Sequence, residues 1–134
     1  DNDLIKVIMA TDFEKYKIVN EIVINSEIVF PGIVLGLGKK DQKYDNITTA
    51  KAADTMVEMA GVTAAFALTL HPNGFISISA RSRNGFNVQT LMEQMGGGGH
   101  FNNAATQIYE KTLSEVKADL IRFLEERIEN EDNH

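Results

Sequence analysis

The spacing of apolar residues changes along the chain from helical to extended and back, which predicts an α/β fold. At the N-terminus, Leu4, Val7 and Ile8 fit one face of a short helix. Asp12 is the expected N-cap of a second helix, whose apolar residues recur at spacings of three and four. These residues are Phe13, Tyr16, Val19, Ile22 and Val23.

Extended segments follow. Glu27–Leu35 is rich in Ile and Val and is interrupted by Pro31-Gly32, which predicts either two strands joined by a turn or one bent edge strand. Val62–Leu70 is a continuous apolar run, typical of a strand buried on both faces. Phe75–Arg81 alternates, with Ser77, Ser79 and Arg81 on its polar face. The turn residues His71–Gly74 join these last two segments in a predicted hairpin.

Helical spacing returns in three further places. The first helix begins at about Thr48, and Gly61 is its expected C-terminal cap. Asn87 is the predicted N-cap of the second, and the glycine run Gly96–Gly99 ends it. Thr112 and Glu115 have capping-box spacing at the start of the last helix. The apolar sides of the first two helices are Ala52, Ala53, Met56, Val57, Met59 and Ala60, then Val88, Leu91, Met92 and Met95.

Asn102 or Asn103 is predicted to cap one more short helix, Ala104–Tyr109. The tail Glu129–His134 is expected to fray. The fold class is therefore α/β: a single domain with a mixed sheet of about four to five strands, flanked by five helices. Gly36–Asp45 is polar, contains Lys39, Lys40 and Lys43, and is predicted to be a solvated loop.

Composition excludes several classes of protein. The 134 residues suit one domain, and the absence of cysteine excludes disulfide scaffolds, thiol nucleophiles and cysteine-ligated metals. The net charge of −6 argues against generic binding to long nucleic acids, which requires a basic field. Residues 61–109, however, carry only Arg81, Arg83 and Glu93, so a local site for a small anion is compatible with the sequence. The first residue is aspartate and not methionine, so the chain can be an excised piece of a longer protein.

The candidate chemistry lies in Arg81-Ser82 and in Gly96–Gly99 with His100. Successive glycines allow backbone N–H groups to converge on one point, and the N-terminus of the helix predicted after them would favour an anion, most naturally a phosphate. Arg81 could clamp that phosphate through two parallel hydrogen bonds, and His100 could donate a hydrogen bond or a proton. The competing interpretations are a flexible glycine connector, a solvated arginine and a surface histidine.

These motifs resemble a known family. Gly97-Gly98-Gly99-His100 followed by Ala104-Ala105, with Ile78–Ser82 upstream, resembles the C-terminal, DHHA1-type subdomain of DHH-family phosphoesterases. The resemblance covers most of residues 27–128. The longer form, Gly96–Gln107, is similar to that of the bacterial membrane-anchored phosphodiesterases that cleave cyclic di-AMP to linear pApA.

The resemblance implies roles for individual residues. Gly97, Gly98, Gly99 and His100 match the element that meets the substrate phosphate, with His100 as the catalytic candidate. Arg81 and Ser82 match the element that contacts the phosphodiester from the other side, and Asn102 and Asn103 flank the same surface. In the family, two manganese ions activate the hydrolytic water. Asp and His residues of a separate N-terminal subdomain bind these ions.

That metal-binding subdomain is not in this sequence, which has no Asp-His-His triplet. On this interpretation, residues 1–26 are a helical segment that leads in from the missing metal-binding subdomain. Residues 27–128 are a substrate-binding domain, and residues 129–134 are a frayed acidic tail. We expect the segment to bind a cyclic dinucleotide or short oligonucleotide without cleaving it. The expected setting is the cytoplasmic side of a membrane-anchored protein, with the N-terminal subdomain, and in one interpretation a second copy of the chain, as partners.

Two alternatives remain open at this point. One is a module that binds single-stranded RNA or DNA, or accompanies a nuclease. The other is a structural or dimerisation domain with a vestigial anion site.

Overall fold

The computed structural model describes residues 2–132, which form four helices and six strands. The helices are α1 (Asn2–Ile24), α2 (Asn46–Val57), α3 (Val88–Gln94) and α4 (Leu113–Asp132). The strands are β1 (Glu27–Phe30), β2 (Ile33–Leu37), β3 (Ala64–Leu70), β4 (Ile76–Ser82), β5 (Gly98–His100) and β6 (Asn103–Ile108). They form one sheet in the order β1-β2-β3-β4-β6-β5, in which β2 and β3 are parallel and the other neighbours antiparallel. The predicted α/β class with a mixed sheet is confirmed.

The sheet has a different set of helices on each face. On one side, which we call the α2 face, Val34, Ala65 and Ala67 pack against α1 and α2. On the other side, the α4 face, the core of Leu35, Phe66 and Ile78 packs against α3 and α4. The alternation predicted for β4 is confirmed, because Ile76, Ile78 and Ala80 belong to the α4-face core. The serines between them are also buried, since α2 covers them on the other face.

The first helix differs from the prediction, because α1 is one continuous helix and Asp12 lies inside it. No glycine or proline interrupts residues 2–24, so nothing ends a helix before Asp12. The buried residues of α1 are Val19 and Ile22, in its C-terminal half. The N-terminal half leaves large apolar side chains exposed: Leu4, Ile5, Val7, Ile8, Met9, Phe13 and Tyr16.

Two of the three hairpins were predicted. Gly32, with φ of 78°, turns the chain between β1 and β2, and Gly74, with φ of 93°, turns it between β3 and β4.

Helix α2 ends earlier than predicted. It begins after Asp45, which is its N-cap, and ends at Val57. Gly61 is therefore not its cap. Met59 and Ala60 lie beyond the helix and are exposed instead of buried.

The C-terminal helix begins at the predicted capping box. The Thr112 backbone N–H donates to Oε1 of Glu115, and the Glu115 N–H donates to Oγ1 of Thr112. These bonds hold the pKa of Glu115 below its ordinary value. The helix continues to Asp132, so the described part of the acidic tail is helical, and Asn133 and His134 lie outside the described residues.

The predicted helix Ala104–Tyr109 is wrong, because residues 103–108 form strand β6. Neither Asn102 nor Asn103 caps a helix. Ala104 and Thr106 are buried on the α4 face, whereas Asn103, Ala105 and Gln107 are exposed on the α2 face. Six register pairs with β4 form in place of a helix, and β5 adds a short third hairpin that the sequence did not predict.

Candidate phosphate-binding site

Arg81, Asn103 and His100 lie side by side in one row across three adjacent strands. Asn103 of β6 is directly opposite Arg81 of β4, and on its other side it is opposite His100 of β5. Because neighbouring strands are about 4.8 Å apart, the two ends of this row are separated by about 10 Å. Residues in register share a face of a sheet, so all three side chains are on the α2 face. We call these three residues the cationic row, after the guanidinium of Arg81.

The surface around the row is open. Helix α2 packs mainly on β3 and β4 on this face. Asn103 and His100 are accordingly exposed. The next row along the sheet consists of Ser79, Ala105 and Gly98. Ser79 is buried under α2, whereas Ala105 and Gly98 make a small, flat floor beside the cationic row.

Arg81 is held in place before any ligand binds. Its Nε donates to Oδ1 of Asp54 on α2 at 2.7 Å, and its Nη1 donates to the carbonyl of Ala80 at 2.9 Å. Only 14% of the Arg81 side chain is exposed, whereas 56% of Asp54 is. A guanidinium has five N–H groups in a fixed plane, and the two bonds to described residues leave three of them for a ligand. The fixed fork is suited to the paired oxygens of a phosphate.

The glycines have three separate functions. Gly96, with φ of 86°, ends α3 in a Schellman motif, in which Gly96 N donates to the Glu93 carbonyl and Gly97 N to the Met92 carbonyl. This confirms that the glycine run ends the helix. The expected cradle at the N-terminus of a following helix is wrong, since a strand follows.

Close packing on β6 explains two of the other glycines. A Cβ on Gly97 would lie 2.1 Å from the Ala105 carbonyl oxygen, and a Cβ on Gly99 would lie 2.6 Å from Cα of Ala104. Gly99 also has φ of 141°, which L side chains rarely adopt. Gly98, in contrast, has open space where its Cβ would be. Gly97 and Gly99 thus allow β5 to approach β6, and Gly98 keeps the floor clear.

Ser82 and Asn102 belong to the support of the site. Ser82 pairs with Ala64 of the α4-face core, so its side chain is on the opposite face from Arg81. Its hydroxyl is 2.6 Å from the Phe86 carbonyl and 3.1 Å from Oδ1 of Asn102, and its backbone N–H donates to the Asn102 carbonyl. These contacts attach the tip of the β5–β6 hairpin to the end of β4. The structure therefore brings Arg81, Asn103 and His100 together and separates the Ser82 hydroxyl from them.

Two residues near the site were missed from the sequence. Asp54 is far from Arg81 along the chain, and only the packing of α2 on β4 brings them together. Gln107 shares the exposed face of β6 with Asn103. The sequence contains no clear signal for Gln107, because residues 103–108 do not alternate in polarity although they alternate in burial.

The described residues do not provide a site for the manganese pair that the family resemblance implies. Residues 2–132 contain no group of three or more His, Cys, Asp or Glu side chains that could hold a metal ion. The same part of the chain contains no helix both long and apolar enough to cross a bilayer.

Comparison with known proteins identifies the family. The DHHA1 domain matches residues 23–130. Over 125 residues the chain is 38% identical to the cyclic-di-AMP phosphodiesterase PdeA of Listeria monocytogenes, covering 93% of this chain and 19% of that protein. Over 89 residues it is 39% identical to the cyclic-di-AMP phosphodiesterase GdpP of Geobacillus thermodenitrificans, covering 66% of this chain and 14% of that protein.

A solved structure supports the fold. An exopolyphosphatase-related protein of Bacteroides fragilis aligns with a TM-score of 0.66 at 17% identity, covering 81% of this chain and 34% of that one. The chain spans less than a fifth of the length of the two curated relatives. With this fold and this match, the chain belongs to the DHHA1 domain family, as the glycine-histidine motif had predicted.

Proposed function

We propose that this chain is the substrate-binding wall of a phosphodiesterase that hydrolyses cyclic di-AMP to linear pApA. The observation that carries the proposal is the cationic row, in which Arg81 and His100 flank Asn103 on an open face of the sheet. The names of the two curated relatives supply the substrate, and the space above Gly98, beside the row, is open.

In this proposal each residue of the row binds one part of the phosphodiester. The Arg81 guanidinium donates to the non-bridging oxygens, which carry the negative charge. Asn103 donates from its amide, and His100 donates a hydrogen bond to a phosphate oxygen from the opposite end of the row. Protonated His100 would also supply a proton to a leaving oxygen, which is the catalytic role proposed for it.

The hydrolytic step requires more than this chain. We propose that two manganese ions, held by an N-terminal DHH subdomain of the same protein, supply the activated water, so the isolated chain binds substrate without cleaving it. Helix α1 supports this arrangement, because it packs on α2 on the same face of the sheet as the cationic row. Its exposed apolar N-terminal half then gives the preceding subdomain a surface to pack on. A membrane anchor and a cytoplasmic orientation complete the proposed setting.

Titration of the chain with pApA tests the proposal. We expect Arg81→Ala and His100→Ala each to weaken binding about tenfold or more, since each removes a bond to a charged group. Arg81→Lys should rescue binding only in part, because an ammonium cannot form the two parallel bonds. Arg122→Ala is the matched control, since it removes the same charge from an exposed position on α4.

Wild-type affinity for pApA that equals the affinity of the Arg81 and His100 variants would contradict the proposal. In the full-length enzyme, the same two variants should lose hydrolysis of cyclic di-AMP. Preferential binding or degradation of long single strands would instead favour a nucleic-acid-binding module. Tight stoichiometric manganese binding by this chain alone would show that the metals do not belong to another subdomain.

A further inference from the structure

A cavity lies at the edge of the sheet, next to the glycine run. Strand β6 continues to Ile108, but its pairing with β5 ends at Ala105, so no strand pairs with the last residues of β6 on that side. The resulting cavity has a volume of about 410 Å³. It is lined by Gly96, Gly97, Ala105, Thr106, Gln107 and Tyr109.

None of the residues that line this cavity is charged, and this distinguishes it from the cationic row. A second phosphate would find no cation there. A neutral, flat group with hydrogen-bonding edges would find an amide at Gln107 and an aromatic ring at Tyr109. Among the parts of a nucleotide, these properties are those of the base.

The cavity lies at the correct side and distance for the base of a bound nucleotide. Asn103, Ala105 and Gln107 alternate along β6 on the same exposed face. Four residues of a strand separate the row from Gln107, which is about 13 Å. The side chain of Gln107 spans part of this gap, and the small residues Ala105 and Gly98 lie between it and the row.

Tyr109 is suited to stacking. Its side chain is 63% exposed, and its ring is held by a tilted contact with Phe75 at a centroid distance of 5.4 Å. Phe75 is in turn stacked on His71 at 4.2 Å. An exposed ring with a fixed orientation can stack on any base, because every base has a π face.

Gln107 supplies the selectivity. Its amide carries one acceptor and two donor hydrogens, so it can pair with the N6 donor and N7 acceptor of adenine at the same time. The corresponding edge of guanine presents two acceptors, O6 and N7. The carbonyl oxygen of Gln107 would then face another acceptor, and no hydrogen bond could form between them. We infer that Gln107 is the specificity-determining residue for adenine, and that Tyr109 stacks on the same base without selecting it. This inference rests on the proposed function of the cationic row.

Parallel calorimetric titrations with pApA and pGpG test it. Wild type should bind pApA about tenfold or more tightly than pGpG, the discrimination expected of one bidentate pair. Gln107→Met keeps the length of the side chain and removes both hydrogen-bonding groups. It should weaken pApA binding by about the same factor, leave pGpG binding unchanged and bring the ratio near one. Gln94→Met, an exposed amide on α3, is the matched control and should change neither affinity.

Two further measurements separate selection from stacking and from misfolding. Tyr109→Ala should lower the affinities for pApA and pGpG by a similar factor and leave their ratio unchanged. Replacing N7 of adenine by carbon should weaken binding to wild type but not to Gln107→Met, because the bond it removes is already absent from the variant. Thermal melting of each variant should match wild type, since both side chains are exposed.

The possible failures are distinguishable. If both dinucleotides bind in an Arg81-dependent manner but Gln107→Met leaves their ratio unchanged, or weakens both equally, Gln107 is not the selective residue and the proposed function stands. If wild type binds neither dinucleotide, or binds them independently of Arg81, the proposed function fails and this inference fails with it.

Discussion

Nε of Arg81 lies 2.7 Å from Oδ1 of Asp54, and this ion pair connects the end of β4 to the helix that packs above it. Asp54 therefore has two opposing effects on an anionic ligand. Its hydrogen bond fixes the orientation of the guanidinium, and its charge repels a phosphate. The effects can be separated because asparagine keeps an acceptor oxygen and loses the charge.

We predict that Asp54→Ala binds pApA about two- to tenfold more weakly than Asp54→Asn. The two variants have the same net charge, so the difference reports the cost of ordering one long side chain. Stability should change by less than about 1 kcal/mol in both, because the pair is partly exposed. Calorimetry and thermal melting check the two parts, and equal affinities would show that Asp54 does not orient Arg81.

Gly97 and Gly98, at the start of the β5–β6 hairpin, should differ sharply in their tolerance to alanine. Gly97→Ala should destabilise the protein by about 1–3 kcal/mol, because its Cβ would overlap the backbone of β6. Gly98→Ala should leave stability within about 0.5 kcal/mol, because its Cβ would enter open space. Urea unfolding of the two variants tests this directly. Equal destabilisation would contradict the packing described for the β5–β6 hairpin.

If Gly98 lies under the ligand, Gly98→Ala should still weaken pApA binding despite its normal stability. This combination would distinguish a role in binding from a role in folding. An unchanged affinity would place the nucleotide away from the floor of small residues.

Ser82→Ala should show the reverse combination. The variant removes a buried hydroxyl from the carbonyl of Phe86 and from Asn102, which should cost about 1–3 kcal/mol. Because the hydroxyl is on the opposite face from Arg81, the affinity for pApA should stay within about twofold. A large loss of affinity in a variant of normal stability would instead show that Ser82 contacts the phosphodiester directly, as the family resemblance implied.

Asp45 makes the stability of α2 sensitive to acid. Its carboxylate accepts the backbone N–H of Thr48 at 2.7 Å, and this bond lowers the pKa of Asp45 below its ordinary value of 3.8. A lowered pKa in the folded state means that the stabilisation is present above the unfolded pKa and disappears as the pH falls through the folded one.

Asp45→Asn should therefore flatten the loss of stability below about pH 4, because asparagine caps a helix without titrating. At pH 7, Asp45→Ala should cost about 1 kcal/mol and Asp45→Asn less. Chemical unfolding at a series of pH values tests both parts. An unchanged slope in Asp45→Asn would assign the acid sensitivity to other carboxylates.

The sequence was informative wherever local signals agreed with each other. The β3–β4 hairpin follows from an apolar run, a turn of Pro, Asn and Gly, and an alternating strand. Prediction from the sequence failed where pairing between distant segments overrode a local preference. Asn103 resembles a helix cap and Ala104-Ala105-Thr106-Gln107 is compatible with a helix, but pairing with β4 at six positions forms a strand instead.

The candidate site shows the same division. Arg81 and the glycine-histidine motif were identified from their chemistry and from the family resemblance. The order of the residues in the cationic row could not be predicted, because it depends on which residues of β4, β5 and β6 are opposite one another. Asn103 was expected beside the phosphate from the resemblance alone, and the register now gives it a position between Arg81 and His100.

The shortness of β5 has a consequence for how the chain behaves in solution. An outermost strand presents unpaired backbone groups, and a long one would be a template on which a neighbouring molecule could add its own strand. Here β5, the outermost strand on the side of the candidate site, is three residues long, and two of them are glycine. The protein can thus leave the rim of its sheet uncovered for a small ligand while offering little length for aggregation through strand addition.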